Sequence, residues 1–228
     1  MKKPKFRHEL KHYINVSDYF TIKSRLKHIA RLDKFAGSDG TYKIRSLYFD
    51  NPDNKALMEK INGINHREKF RIRFYNDDPS FIKLEKKSKT NSLCSKAAAR
   101  VTREQCERLL EGDIEWLIAS GNKLLQELYA KMQYQLMQPK TVVDYFREAY
   151  IYEPGNVRIT IDSKLKSGLV SKDFFNPNLP TMNITASGQI ILEVKFDAFL
   201  PELIRDIIQT NERRNTAISK YAACRIYG

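Results

Sequence analysis

From Lys69 to Phe74 the chain alternates without a break: Lys69, Arg71 and Arg73, with Arg67 before them, take one parity, and Phe70, Ile72 and Phe74 take the other. Successive side chains of an extended strand point to opposite faces, so parity divides this segment into a cationic side and an apolar side. The same division recurs elsewhere. Lys83, Glu85 and Lys87 oppose Ile82 and Leu84; Arg158 and Asp162 oppose Val157, Ile159 and Ile161; Glu193 and Lys195 oppose Leu192, Val194 and Phe196. Near the N-terminus Arg7, Glu9 and Lys11 oppose Phe6, Leu10 and Ile14. Residues 41–50, 70–76, 80–88, 140–152, 156–162 and 189–196 are rich in β-branched and aromatic residues, are bounded by Asn, Asp, Gly and Pro, and are predicted as strands.

Helical spacing appears between them. Tyr19, Phe20, Ile22, Leu26 and Ile29 fit an amphipathic helix over 17–30. TREQ at Thr102 offers a capping box to a second helix, residues 124–137 predict a third, and EWLIAS lies in the same helical insertion with Trp116 as a packing residue. PELIRDIIQ opens with a helix-compatible Pro201, and residues 219–224 predict a last short helix. Runs of strands with helices grouped in insertions and at the ends define an α+β chain with a mainly antiparallel sheet. No linker-like stretch and no repeat divides residues 1–228, which read as a single domain.

Composition narrows what the cationic side is for. A content of 42% hydrophobic residues in 228 supports a core and excludes disorder throughout. A net charge of +13 points to an anionic partner: nucleic acid, a membrane surface or a phosphorylated small molecule. Parity argues against nucleic acid, because the aromatics of residues 70–74 lie opposite the cations and cannot stack on bases bound there. No stretch approaches the roughly 18 apolar residues of a membrane span, and the basic N-terminus lacks the apolar region of a leader. Cys94, Cys106 and Cys224 are odd in number and far apart, so a cytoplasmic location is expected. His8 and His12 fall on the side away from the cations and are not read as metal ligands.

A merely solvated sheet face mixes Ser, Thr, Gln and both signs of charge, whereas these faces hold mostly Arg and Lys. Like charges on neighbouring strands repel, so a multivalent anion spanning the face is the better explanation. If about eight strands close into a barrel, the charged side points inward as a cationic tunnel and the apolar side meets flanking helices. Guanidinium groups grip phosphate oxygens bidentately and ammonium groups supply point charge. Glu9, Glu85, Asp162 and Glu193 are then either ion-pair partners of the cations or oxygen ligands for Mg²⁺ or Mn²⁺.

RHELKHYI, RSLYFDN, EKINGINHREKFRIRFYN, IKLEKKSK, DYFREAY, VRITID, ILEVKF and ISKY follow one another in the order seen in the VTC domain. The chain resembles that family of polyphosphate polymerase domains, within the triphosphate tunnel metalloenzymes, over roughly residues 7 to 221. The resemblance implies a closed antiparallel β-tunnel with helices outside and synthesis of inorganic polyphosphate from the terminal phosphate of ATP with a divalent metal, commonly Mn²⁺. The family's basic residues fall on Arg7, Lys11, Lys60, Arg71, Arg73, Lys87, Lys96, Arg158 and Lys220, its metal carboxylate on Glu193, and a serine near the tunnel end on Ser219. With parity, Lys11, Arg71, Arg73, Lys87 and Arg158 form the expected catalytic set. Arg7, Lys60, Lys96, Lys195, Ser219 and Lys220 are expected as further phosphate contacts, with Glu9, Glu85 and Asp162 as additional metal candidates. Arg67 and Lys69 are expected at the rim.

Two positions depart from the family pattern. Lys60 stands where eukaryotic members carry Arg, and Ala217 stands where they carry Lys, which bears on how nucleotide and polyphosphate are handled. Hydrolysis of inorganic or nucleoside triphosphates, and polyphosphate binding without catalysis, are the competing readings. The expected partners are ATP and inorganic polyphosphate or triphosphate.

Overall fold

The computed structural model describes residues 7–91, 93–185, 188–209 and 217–228. Ten strands are present among them: β1 (His8–Ile14), β2 (Arg31–Leu32), β3 (Thr41–Asp50), β4 (His66–Tyr75), β5 (Asp78–Thr90), β6 (Leu93–Val101), β7 (Gln138–Tyr152), β8 (Val157–Gly168), β9 (Thr181–Asn183) and β10 (Ile190–Phe196). Seven α-helices accompany them: α1 (Val16–Leu26), α2 (Lys55–Ile61), α3 (Arg103–Leu110), α4 (Glu115–Ala119), α5 (Lys123–Gln135), α6 (Glu202–Ile208) and α7 (Lys220–Tyr227). Every pairing is antiparallel, in the order β1-β10-β8-β7-β3-β4-β5-β6, with β2 on β7 and β9 on β8. The α+β expectation holds.

The apolar parity does what the pattern requires. Phe70, Ile72, Phe74 and Leu84 are buried with Leu109, Trp116, Leu117 and Leu128 of α3 to α5. Ile159, Ile161, Leu192 and Val194 are buried with Ile22 and Leu26 of α1 and Ile204 and Ile207 of α6. Each such side chain contributes about 1.5–3 kcal/mol relative to exposure, which fixes the register because a one-residue slip would turn the whole set outward. His8 stacks on Phe196 on the apolar side, as its parity demands.

Two expectations are corrected. The sheet is not closed into a barrel. A ladder needs consecutive pairs, whereas among the described residues the two edges share a single bridge, Arg7 with Cys94, while Lys96, Ala97 and Ala98 of β6 stay exposed. The result is an open, tunnel-like groove. Nor do all the helices lie outside. Ile44, Val143, Tyr145 and Ile191 from the concave side of the sheet are buried with Leu57 of α2 and with Ile218, Tyr221 and Cys224 in and next to α7.

Local signals account for the helix limits. Asn15 caps α1 through a reciprocal pair, Asp18 N to Asn15 Oδ1 at 2.8 Å and Asn15 N to Asp18 Oδ2 at 3.1 Å, so the helix starts before Ser17. The predicted box at Thr102 forms, with Gln105 N donating to Thr102 Oγ1 at 3.1 Å. Helix α5 stops where Leu136 takes a left-handed φ of 52°.

Candidate functional site

The concave side carries the predicted charges, and they are organised in blocks. In the first, Tyr48, Arg71 and Glu85 lie side by side on β3, β4 and β5. Arg71 donates to Glu85 from Nε and Nη2 at 2.8 and 2.7 Å and to the Tyr48 hydroxyl at 2.8 Å. Arg73 donates to Ser46 Oγ at 3.1 Å and to the Tyr145 hydroxyl at 2.9 Å, with Nη1 3.9 Å from Glu85. Lys96 reaches the second oxygen of Glu85. Burial pushes the Glu85 carboxyl up, but Arg71, Arg73 and Lys96 outweigh it and hold the group far below the usual carboxylate range. The Tyr48 hydroxyl is likewise lowered: burial opposes ionisation, and Arg71 and Arg73 overcome it.

The second block joins the edges of the sheet. Lys11 faces Glu193 and Glu9 faces Lys195 across β1 and β10. Lys195 Nζ lies 2.5 Å from Glu193 Oε1 and 3.5 Å from Glu9, and Lys11 Nζ lies 3.7 Å from a carboxylate oxygen of each. Lys87 crosses from β5 to Glu9 at 2.9 Å, so side chains span the gap that the backbone leaves open. Burial opposes the charge on Glu193, yet Lys195, Lys11 and Lys220 depress its pKa well below the ordinary value. Burial also opposes the charge on Lys11, and Glu193 and Glu9 more than reverse this.

Asp162 anchors a third block, accepting from Arg147 Nε and Nη2 at 2.6 and 2.7 Å and from Lys220 Nζ at 2.6 Å. Arg158 is tied to Asp33 at 2.6 Å and to the Tyr42 hydroxyl at 3.1 Å. Arg7 sits at an outer edge on Asp197 at 2.9 Å. Ser219 caps α7, accepting from Ala222 N at 3.3 Å, and also accepts from Lys69 Nζ at 3.0 Å. Lys60 lies on α2, where burial and the neighbouring Arg67 lower its pKa. Lys69 is therefore no rim residue: it lies partly buried beside α7, its ammonium 5.0 Å from the centre of the Tyr221 ring.

Arg147, Asp33, Tyr48 and Tyr145 were not singled out from the sequence. Parity could have found two of them, since Val143, Tyr145 and Arg147 alternate within one predicted strand. Tyr48 was obscured because β3 mixes polar and apolar residues on both faces, and Asp33 because it follows the short β2.

The carboxylates suit a divalent cation in one mode. Among the described residues no group of three or more His, Cys, Asp or Glu side chains could cage a metal. Glu9 and Glu193 share the same lysines and can offer one or two carboxylates, leaving the remaining positions to phosphate oxygens and water, the habit of Mg²⁺. Glu85 and Asp162 are already committed to two or more cations each.

A concave antiparallel wall lined with Arg and Lys, and balanced by interleaved carboxylates, is consistent with the triphosphate tunnel metalloenzyme fold that the sequence resemblance implies. Within it, residues 6–226 match the VTC domain, and the chain belongs to that family. Two solved structures share the fold at low identity. One is a candidate adenylyl cyclase from Hippeastrum, described as having a dominant triphosphatase activity, at 12% identity with a TM-score of 0.57 over 96% of this chain and 95% of that one. The other is a candidate adenylate cyclase from Bacillus halodurans, at 13% identity with a TM-score of 0.51 over 84% of this chain and 80% of that one. No curated protein matches the chain significantly in sequence. Among the described residues no helix is long and apolar enough to cross a membrane.

Proposed function

We propose that the protein binds the triphosphate of ATP in the groove and transfers its terminal phosphoryl group to a growing inorganic polyphosphate. The observation that carries the reading is the Arg71, Arg73 and Glu85 block, a set of guanidinium donors fixed by Tyr48, Tyr145 and Ser46 before any ligand arrives. Phosphoryl transfer asks for positioning and charge stabilisation and for little covalent chemistry from the protein. Arg71 and Arg73 orient the chain from one wall, and Lys11, Lys87 and Lys195 neutralise it from the other. Arg158 and Lys220 supply further charge, and Arg7 and Lys96 extend the cationic track at the edges. Glu193 with Glu9 would hold a divalent cation, Mn²⁺ or Mg²⁺, which would supply positive charge to offset the charge developing on the transferred phosphoryl group. The attacking phosphate is already anionic, so no general base is required.

Hydrolysis is the second reading, favoured by α7. Its Tyr221 is 1% exposed within the concave cluster and donates to Asp50 Oδ2 at 2.5 Å, so the helix occupies space that a lengthening chain would have to pass. Fold likeness to the Hippeastrum protein with triphosphatase activity lies on the same side. Incubation with ATP and Mn²⁺ followed by product sizing separates the readings. Polymerase action yields ADP with a ladder of polyphosphate, hydrolysis yields ADP with orthophosphate alone, and a binding module yields no ADP.

A further inference from the structure

The rows of residues that face one another across β4, β5 and β6 differ in sign. Arg71 faces Glu85, whereas Lys69 faces Lys87, which in turn faces Lys96, and Arg67 faces Lys89. Like charges set opposite one another in a sheet are destabilising, so a row of three lysines calls for a counter-charge. Two of the three find one by reaching away from their row: Lys87 goes to Glu9 and Lys96 to Glu85. Lys69 does not. Its ammonium meets the Ser219 hydroxyl at 3.0 Å and the face of Tyr221, and the charges that act on it most among the described residues are Arg67 on its own strand, Lys60 on α2, Lys11 on β1 and Lys87 on β5. Every one of these is a cation. The first turn of α7, which begins next to Ser219, adds the partial positive charge of free backbone amides.

We propose that Lys69 and Arg67, expected only at the rim, join Ser219 and Lys60, which the family resemblance already implies as phosphate contacts, in a separate subsite for one phosphoryl group of the bound phosphate chain, next to α7 and apart from the Arg71 wall. This rests on the triphosphate-handling reading above. Phosphate oxygens would accept from Lys69 Nζ and from the Ser219 hydroxyl, while Lys60 and Arg67 supply charge from either side. The subsite supplies the anion that the row lacks, and it gives Lys69 a role that its rim assignment from sequence would have missed. Burial, followed by the charges of Arg67, Lys60, Lys11 and Lys87, pushes the Lys69 ammonium down to about 7 in the free protein. A bound phosphate reverses the electrostatic part of that shift, so ligand binding draws a proton onto Lys69.

The test is calorimetric titration of the whole protein with inorganic tripolyphosphate at pH 8, in two buffers of different ionisation heat, for wild type, Lys69→Met, Lys69→Arg and Arg71→Ala. About nine-tenths of a group with a pKa near 7 is deprotonated at pH 8, so wild type should take up nearly one proton more per bound chain than Lys69→Met. Lys69→Met should bind about tenfold more weakly, the loss of a charge-assisted contact. Lys69→Arg should keep affinity within about threefold and lose the extra proton uptake, because a guanidinium stays charged. Equal losses in Lys69→Met and Lys69→Arg with unchanged proton uptake would mark a packing role and overturn the proposal. So would wild-type affinity and uptake in Lys69→Met alongside lost binding in Arg71→Ala, an outcome that leaves the triphosphate reading intact. Absence of tripolyphosphate binding by wild type overturns both.

Discussion

The Arg71 block and the Lys69 row are neighbours on the same three strands and share the same sign of charge, yet they differ in what balances it. Arg71, Arg73 and Lys96 converge on Glu85, which is 1% exposed. Among the described residues Lys69 meets only a hydroxyl and an aromatic face. A buried carboxylate holding three cations keeps donors in place at the cost of engaging them, whereas a lysine without a counter-charge stays unfavourable until an anion arrives. The first arrangement positions and the second waits.

The largest effect should come from removing the positioning arm. Arg71→Ala deletes a donor anchored at both ends by Glu85 and Tyr48 and is expected to lower triphosphate turnover about 10²–10³-fold in a phosphate-release or product-sizing assay. Glu85→Gln attacks the same block from the acid side. It leaves Arg71, Arg73 and Lys96 without their shared charge and should cost about 3 kcal/mol in urea unfolding at pH 7, since breaking a buried ionic set leaves uncompensated charge. Unchanged stability in Glu85→Gln would mean that the two regions do not differ as described.

Acid and base should divide the regions as well. Glu85 and Glu193 have folded pKa values depressed below the ordinary glutamate value, so their stabilisation is present above about pH 4.5 and is lost as pH falls through the folded values. Lys69 has the opposite sign. Its folded pKa lies below that of the unfolded chain, so its charge costs stability below about pH 10, increasingly so as pH falls towards 7. Lys69→Met should therefore raise the urea midpoint of the free protein at pH 7, with the gain disappearing near pH 10.5, while the same substitution weakens tripolyphosphate binding. A variant more stable and less competent is the mark of a residue kept for its ligand.

Much of this was legible in the sequence, for a definite reason. Parity is local, so it assigned Arg71, Arg73, Lys87, Arg158, Glu193 and Lys195 to one face and Phe70, Ile72 and Phe74 to the other before any strand was paired. What parity cannot show is where a strand's neighbour lies. Whether Lys69 meets a carboxylate depends on the pairing of β4 with β5 and of β5 with β6, and on α7 folding into the concave side, where Lys69 meets Ser219 from 150 positions away. Helix α2 and strand β6 escaped for a related reason. KALMEKI is too short to show a period, and the alanines of KAAAR have low strand preference, so pairing with β5 rather than local propensity makes that segment extended. The expected barrel closure failed on the same edge, where among the described residues β6 and Arg7, just before β1, share one bridge.

Lys96 belongs to both regions, so the smallest predicted effect is also the most discriminating. By register it faces Lys87 in the cationic row, while by contact it is the third cation on Glu85. Burial pushes its ammonium down to about 8, and the Glu85 charge opposes that shift without reversing it. Its side chain is 51% exposed, so water screens the pair and the two guanidinium groups already hold Glu85. Lys96→Ala should cost at most about 1 kcal/mol in urea unfolding at low salt, an effect that 0.5 M NaCl should largely abolish. A loss as large as that of Glu85→Gln would place Lys96 among the positioning donors and move the boundary between the two regions one strand outward, to the edge of the sheet.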